Sequence, residues 1–230
     1  MGNSGIERIK TEDLIGPLND VEEKYAASEL FTIGNKELLK RRCVSVIGTR
    51  NPSMTGIQNA KKITKFLVNN DVVVVSGLAK GIDTVAHTTT IKNNGKTIAV
   101  LGTPLDQCYP TENELLLQEI KKNHLAVSQF EVGNKVFPSN FPTRNRTMAL
   151  LSQASIIIEA GEKSGTMHQG WEALRLGRQL FITEDLIKRD LLWTKKLLEY
   201  GAEVLYMDDL EIIMDFLPEK IKGEIECVNF

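Results

Sequence analysis

The stretch Val44-Ser45-Val46-Ile47-Gly48-Thr49-Arg50-Asn51-Pro52-Ser53-Met54-Thr55-Gly56 decides how the chain is read, because an apolar run ends in a glycine and an arginine just before a helix begins. Such a junction is suited to hold an anion. Gly48 lets the backbone come close to a ligand, and Ser53 or Thr55 can cap the helix while its free N–H groups and dipole face a phosphate. Arg50 adds a planar fork of donors that matches phosphate oxygens. The competing reading is an ordinary strand-to-helix turn whose arginine forms a salt bridge.

From Cys43 onward the chain alternates apolar runs with helical patterns, as a parallel sheet flanked by helices requires. Strands are expected at Cys43–Ile47, Val72–Ser76, Thr97–Leu101, Ala126–Phe130, Ile156–Ala160, Leu180–Thr183 and Glu203–Tyr206. Several are near-continuous Val/Ile/Leu runs, which suits burial on both faces. Between them, Ile57, Ile63, Phe66 and Leu67 make one apolar helix face, Ala173, Leu174 and Leu176 a second, and Leu191, Leu192, Leu197 and Leu198 a third. The fold class is α/β with a mostly parallel, doubly wound sheet. Trp171 and Trp193 are expected to pack against it.

Residues 1–40 read as an N-terminal extension, with an acidic helix from Glu12 to Ala27 and an extended Glu29-Leu30-Phe31-Thr32-Ile33 that packs on the main sheet. Residues 41–217 form the main domain, ending in an amphipathic helix from Asp208 to Phe216, and residues 218–230 read as a charged, loosely ordered tail.

Composition narrows the class. The 230 residues are 42% hydrophobic, Met1 to Lys10 lacks the apolar core of a signal peptide, and Cys43, Cys108 and Cys227 are too scattered for a disulfide frame or a zinc site. No apolar run reaches the roughly 18 residues of a spanning helix. The expectation is a cytoplasmic protein with reduced thiols and neither metal nor cofactor. The net charge of -2 hides segregation: residues 31–182 hold 19 basic and 11 acidic side chains, while residues 1–30 hold 3 and 7 and residues 183–230 hold 6 and 12. A basic centre keeps a polyanionic partner open, unless both signs intermix in space.

Ligands of open α/β sheets bind beyond the carboxyl ends of the strands, and the segments there are polar, basic and rich in glycine. They include Ser76-Gly77-Leu78-Ala79-Lys80-Gly81-Ile82-Asp83, Gly102-Thr103-Pro104 with Tyr109-Pro110, Asn140-Phe141-Pro142-Thr143-Arg144-Asn145-Arg146, and Gly161-Glu162-Lys163-Ser164-Gly165-Thr166. Converging on one edge, Arg50, Lys80, Arg144, Arg146 and Lys163 would make a sizeable anion site. Asp83 is read as a helix cap rather than a catalytic acid, and His87 as a hydrogen-bonded structural histidine. His168, just after Gly165-Thr166, is near the ligand edge, and Phe141 either stacks on a base or pins its loop to the core.

Taken in order, Gly48-Thr49-Arg50-Asn51-Pro52-Ser53, Ser76 to Asp83 with His87, Thr97 to Gly102 with Tyr109-Pro110, Asn140 to Arg146 and Ser164-Gly165-Thr166 resemble the DNA-processing protein A (Smf) family across roughly residues 28–205. The resemblance implies an extended Rossmann-like three-layer sandwich. It also implies a non-enzymatic protein, usually a homodimer, that binds single-stranded DNA and hands it to a RecA-type recombinase during uptake or repair. By that likeness Arg50, Lys80, Arg144 and Arg146 would grip phosphates with Asn145 and Phe141 near a base, and the nucleic-acid site would extend over Gly48, Thr49, Ser53, Gly77, Gly81, Lys163, Ser164, Gly165, Thr166 and His168. Where the family carries Leu, any residue, Thr-Ala after Ser-Gly-Ser/Thr, this chain has Met167-His168-Gln169-Gly170, a change in the pocket wall.

Two alternatives use the same edge. A lonely-guy-type phosphoribohydrolase would need Gly-Gly-x-Gly-Thr-x-x-Glu, and aligning Gly165-Thr166 puts Gln169 where the carboxylate belongs, so another acid such as Glu172 would have to substitute. A sensor of a small nucleotide-derived signal would need the same glycine-rich, basic edge.

Overall fold

A computed structural model of the protein describes residues 5–162 and 164–218. Val44 and Val46 pack on one side of a sheet, and Cys43 and Ile47 on the other, all of them buried. That two-sided cover is why the opening stretch shows no polar alternation.

The strands are β1 (Glu7–Lys10), β2 (Glu29–Gly34), β3 (Cys43–Ile47), β4 (Val73–Ser76), β5 (Thr97–Leu101), β6 (Leu125–Ser128), β7 (Ala154–Ile157), β8 (Gln179–Thr183) and β9 (Glu203–Leu205). They form one sheet in the order β1-β2-β6-β5-β4-β3-β7-β8-β9. Every pairing from β6 across to β9 is parallel, whereas β2 joins β6 and β1 joins β2 antiparallel.

The helices are α1 (Thr11–Ile15), α2 (Asp20–Tyr25), α3 (Met54–Asn69), α4 (Ile82–Lys92), α5 (Glu114–Asn123), α6 (Asn140–Leu150), α7 (Thr166–Arg175), α8 (Glu184–Ile187), α9 (Leu192–Glu199) and α10 (Ile212–Asp215). On one face α3, α4 and α10 bury Ile63, Leu67, Ala86 and Ile213 with Val44, Val74 and Ile156, and α5 extends that layer through Leu117 and Ile120. On the other face α6, α7 and α9 bury Met148, Ala173 and Leu197 with Val75, Val100 and Ile182. The result is the three-layer α/β sandwich, with each fully buried aliphatic side chain contributing about 1.5–3 kcal/mol. Trp193 is buried in the second layer, and Trp171 packs against it from the partly exposed side.

Several elements differ from the sequence reading. The acidic helix of Glu12 to Ala27 is two helices, because Gly16 at φ 84° and Pro17 interrupt it. Asn19 restarts it with a capping box: its Oδ1 accepts from the backbone of Val21 and Glu22 at 3.0 and 2.9 Å, and the Glu22 carboxylate accepts from the Asn19 backbone at 2.9 Å. β1 has no apolar pattern to reveal it. β7 covers Ala154–Ile157 rather than Ile156–Ala160, its register with β3 ending where Ile47 pairs with Ile157. β6 likewise ends at Ser128, and α10 is shorter than the expected Asp208–Phe216. Of the expected tail, 219–230 lie outside the described residues, as does Cys227; Cys43 and Cys108 are free thiols. No described helix is long and apolar enough to cross a membrane.

Candidate functional site

Chain order reverses beside β3. β4, β5 and β6 build outward on one side of it and β7, β8 and β9 on the other. The segments leaving β3 and β7 therefore diverge, and the crevice between them lies at the carboxyl ends of the strands, the usual ligand position in such sheets. A cavity of about 560 Å³ occupies it, within the ordinary range for small-molecule sites. Its lining comes from Gly48, Thr49 and Arg50 after β3, Ala79 and Asp83 after β4, Phe141, Pro142, Arg144 and Asn145 on α6, and Gly161, Ser164, Gly165, Thr166 and Gln169 after β7.

The start of α3 is not part of this opening. Ser53 caps α3 as its sequence position suggests, its Oγ accepting from Gly56 N at 3.0 Å. The anion there is internal: Glu159 Oε2 accepts from Ser53 N and from Ser53 Oγ, each at 3.0 Å, and Arg189 pairs with the same carboxylate. The expectation that the start of α3 faces a phosphate is thus corrected, because the buried Glu159 carboxylate, two residues past β7, already sits there and accepts from Ser53 N and Oγ. Gly48 likewise makes room for protein, since a Cβ there would lie 2.6 Å from Ile82 Cγ1 and 2.9 Å from the Glu159 carbonyl oxygen.

The basic residues divide by what they touch. Arg50 is exposed at the cavity, in no ion pair among the described residues, with its guanidinium 5.9 Å from the centre of the Phe141 ring. Arg144 is only 6% exposed and donates through Nη1 to the carbonyls of Gly77 at 2.5 Å and Val100 at 2.8 Å. Asp83 offsets its charge, while burial pushes the Asp83 carboxyl up and the Arg144 guanidinium down from their ordinary ranges. Arg146 turns away from the cavity, bonding Glu172 at 3.2 and 3.3 Å and lying over the ring of Tyr25. Lys80 pairs with Glu112 on the surface and does not line the cavity. Lys163 lies outside the described residues.

The separation of Arg144 from Arg146 follows from local structure. The segment Asn140 to Arg146 reads in sequence as a loop, yet it forms the first two turns of α6, with Pro142 tolerated in the first turn. Residues two apart on a helix point about 200° apart, so the two arginines cannot share a face. Arg144 lines the cavity with Arg50, whereas the expected convergence of Arg146 with them is corrected on that ground.

The remaining candidates fall into place around this frame. Gly81, at φ 77°, brings the β4–α4 turn against the backbone of Thr49 and Arg50, where Ile82 N donates to Thr49 O at 3.2 Å. Gly77 leaves the space that the Arg144 guanidinium fills. Asp83 is not the cap of α4, because Gly81 holds that position; its carboxylate instead accepts from Gly77 N at 3.2 Å and Ala79 N at 3.3 Å, bracing the turn before the helix. Phe141 rests on Gly102, whose absent Cβ would lie 2.7 Å from the ring, and is 5.4 Å from the Tyr109 ring at a 53° tilt. Asn145 accepts from Arg144 Nε at 3.0 Å, and Ser164 Oγ accepts from Thr166 N at 3.2 Å. His87 is buried against Thr97 Oγ1 at 2.7 Å, with burial pulling its imidazole down to about 3. His168 is exposed on α7 and does not line the cavity.

Glu159, at the start of α3, and Gln169, in the cavity wall, are among the residues absent from the sequence-derived set of site residues. Glu159 follows an apolar run and carries no motif. Gln169 lies one helical turn after Thr166, and that spacing is the signal that puts both on one face of α7. No group of His, Cys, Asp and Glu among the described residues could hold a metal ion.

Comparison with known proteins gives a consistent picture. The profile of the family described as DNA recombination-mediator protein A matches residues 17–217. DNA processing protein DprA of Streptococcus pneumoniae is 42% identical over 163 residues, covering 70% of this chain and 57% of that protein. The Bacillus subtilis DNA processing protein DprA is 35% identical over 193 residues, covering 83% and 64%. This chain therefore spans roughly three fifths of these relatives. Among solved structures, the S. pneumoniae protein superposes with a TM-score of 0.80 at 34% identity, covering 92% of this chain and 74% of that one. DNA processing protein A of Helicobacter pylori, described with a single-stranded DNA binding mode, gives 0.76 at 26% identity, covering 91% and 94%. A molybdenum cofactor binding protein of Rippkaea orientalis, at 16% identity and TM-score 0.56 over 76% of this chain and 96% of that one, shares the fold alone.

Proposed function

The chain belongs to the DNA recombination-mediator protein A family, and from that premise we propose that it binds single-stranded DNA without catalysis at the carboxyl edge of its sheet and hands the strand to a RecA-type recombinase. The observation that carries this reading is the placing of an exposed Arg50, in no ion pair among the described residues, over the Phe141 ring at the mouth of the cavity. A cation beside an aromatic face serves a phosphate and a base together, without reading sequence. Ser164, Gly165, Thr166 and Asn145 supply the polar wall. Lys80 is a second phosphate contact, because an exposed lysine–glutamate pair holds its partner weakly and gives it up readily. Residues 41–217 act as the DNA-binding domain, with residues 1–40 an extension along its edge, in a cytoplasmic homodimer.

Binding rather than bond cleavage is favoured by the amide of Gln169 standing where a hydrolase would need a carboxylate. Glu172, the alternative acid, is committed to Arg146 and Arg175 and does not line the cavity. A small-nucleotide sensor is the second reading, favoured by a lining with one exposed cation among the described residues and a volume suited to one nucleotide.

Fluorescence anisotropy with labelled oligo-dT of several lengths at two salt concentrations, beside mononucleotide competition, separates the two. Affinity that rises with length and falls with salt supports the strand reading, and recombinase capture then tests the hand-over. Saturation by one mononucleotide with no binding of DNA replaces it with the sensor.

A further inference from the structure

Gln169 is unlike the other residues that line the cavity. It is 1% exposed, and neither its amide oxygen nor its amide nitrogen has a hydrogen-bond partner among the described residues. Asp83, Arg144, Asn145, Ser164 and Thr166 each make hydrogen bonds within the protein. An amide buried without partners destabilises the fold, and a leucine of similar size would fill the same volume at no such cost. The side chain therefore makes sense where a ligand completes it.

A primary amide offers one acceptor and one donor side by side, the complement of the hydrogen-bonding edge of a nucleobase. Phe141 supplies an aromatic face in the same lining, over which the exposed Arg50 guanidinium now lies and from which an entering ring would displace it toward a phosphate. We propose that the cavity takes one unstacked base of the bound strand, with its face on Phe141 and its polar edge on Gln169, so that Gln169 makes binding depend on that edge. This inference rests on the single-stranded DNA reading. Turning the amide by half a rotation exchanges donor and acceptor, so every natural base can be satisfied. The selectivity expected is for a polar base edge over an apolar ring of the same shape, rather than for one base over another.

The test compares oligo-dT with an oligomer of equal length carrying difluorotoluene, an apolar shape mimic of thymine, on the full chain, on Gln169→Leu and on Gln169→Met. The unsubstituted protein should prefer oligo-dT by about tenfold, the discrimination of one good two-point contact. Both variants should lose most of that preference while their ligand-free melting temperature rises. An equal preference in the unsubstituted protein and the variants overturns the role of Gln169 and leaves DNA binding intact. A lowered melting temperature in both variants also overturns it, because the amide then serves the fold. Failure of the unsubstituted protein to bind either oligomer removes the underlying reading and this inference with it.

Discussion

The carboxylate of Glu159 lies on the first turn of α3, with its Oε2 3.0 Å from both the backbone nitrogen and the hydroxyl of Ser53. The strongest phosphate signature in the sequence is thereby occupied from within. Glu159→Gln keeps the shape but weakens two charge-assisted hydrogen bonds and the pairing with Arg189. The expected result is a loss of about 1.5–3 kcal/mol in urea unfolding with oligo-dT affinity essentially unchanged. Stronger DNA binding at unchanged stability would instead assign the phosphate to α3.

Arg50 and Arg146 should separate cleanly. Arg50→Ala is expected to weaken binding to every sequence and to lower the salt slope by about 0.7, the value of one lost single-strand phosphate contact. Arg146→Ala should leave the slope alone, because that guanidinium is held by Glu172 and Tyr25 away from the cavity. Anisotropy titrations at four salt concentrations read both, and equal slopes for Arg50→Ala and the unsubstituted protein would take Arg50 out of the phosphate site.

Arg144→Ala should act on stability first. It strips the carbonyls of Gly77 and Val100 of their donor and leaves the Asp83 carboxylate buried without its countercharge. Removing one partner of a buried pair costs about 3–5 kcal/mol, and lysine should rescue little, since a single ammonium cannot reproduce the planar fork. A variant with an unshifted denaturation midpoint and lost DNA binding would place Arg144 on the ligand instead.

Acid should unfold the protein partly through His87. Its imidazole is neutral in the fold down to about pH 3, whereas in the unfolded chain it takes up a proton near its ordinary value of 6.5. The unfolded state therefore binds more protons below pH 6.5, so the stability from this site is full above that pH and falls as pH drops toward 3, by up to about 1.4 kcal/mol per unit. Urea midpoints measured between pH 7 and 4 should show a shallower decline for His87→Gln, and identical profiles would exclude the histidine. Asp83, whose carboxyl burial raises, works in the opposite sense at the acid end of that range.

The sheet could be read from the sequence because β3, β4, β5, β7 and β8 are buried on both faces and so appear as near-continuous apolar runs. β1 could not, since a charged edge strand with one neighbour has no such pattern. The site was legible in its loops but less so in its charges. Arg50, Phe141 and Ser164 to Thr166 line the cavity as the segments suggested. Arg144, Arg146 and Lys80 carry charge that Asp83, Glu172 and Glu112 offset, and those partners lie far off in sequence or one turn inside a helix. Gln169 was visible only as an amide in place of a carboxylate, because its lack of partners shows only once its burial is known.

The antiparallel pairing of β2 with β6 has a temporal side. Phe31 to Gly34 must meet Leu125 to Ser128, about ninety residues later in the chain. At ribosomal rates of roughly 5–20 residues per second, the N-terminal hairpin waits on the order of 5–20 s for the strand that receives it. Until then Leu30 and Thr32, buried in the finished molecule, remain open to whatever else is in reach. The segment that closes this border of the sheet is made well before the strand that receives it.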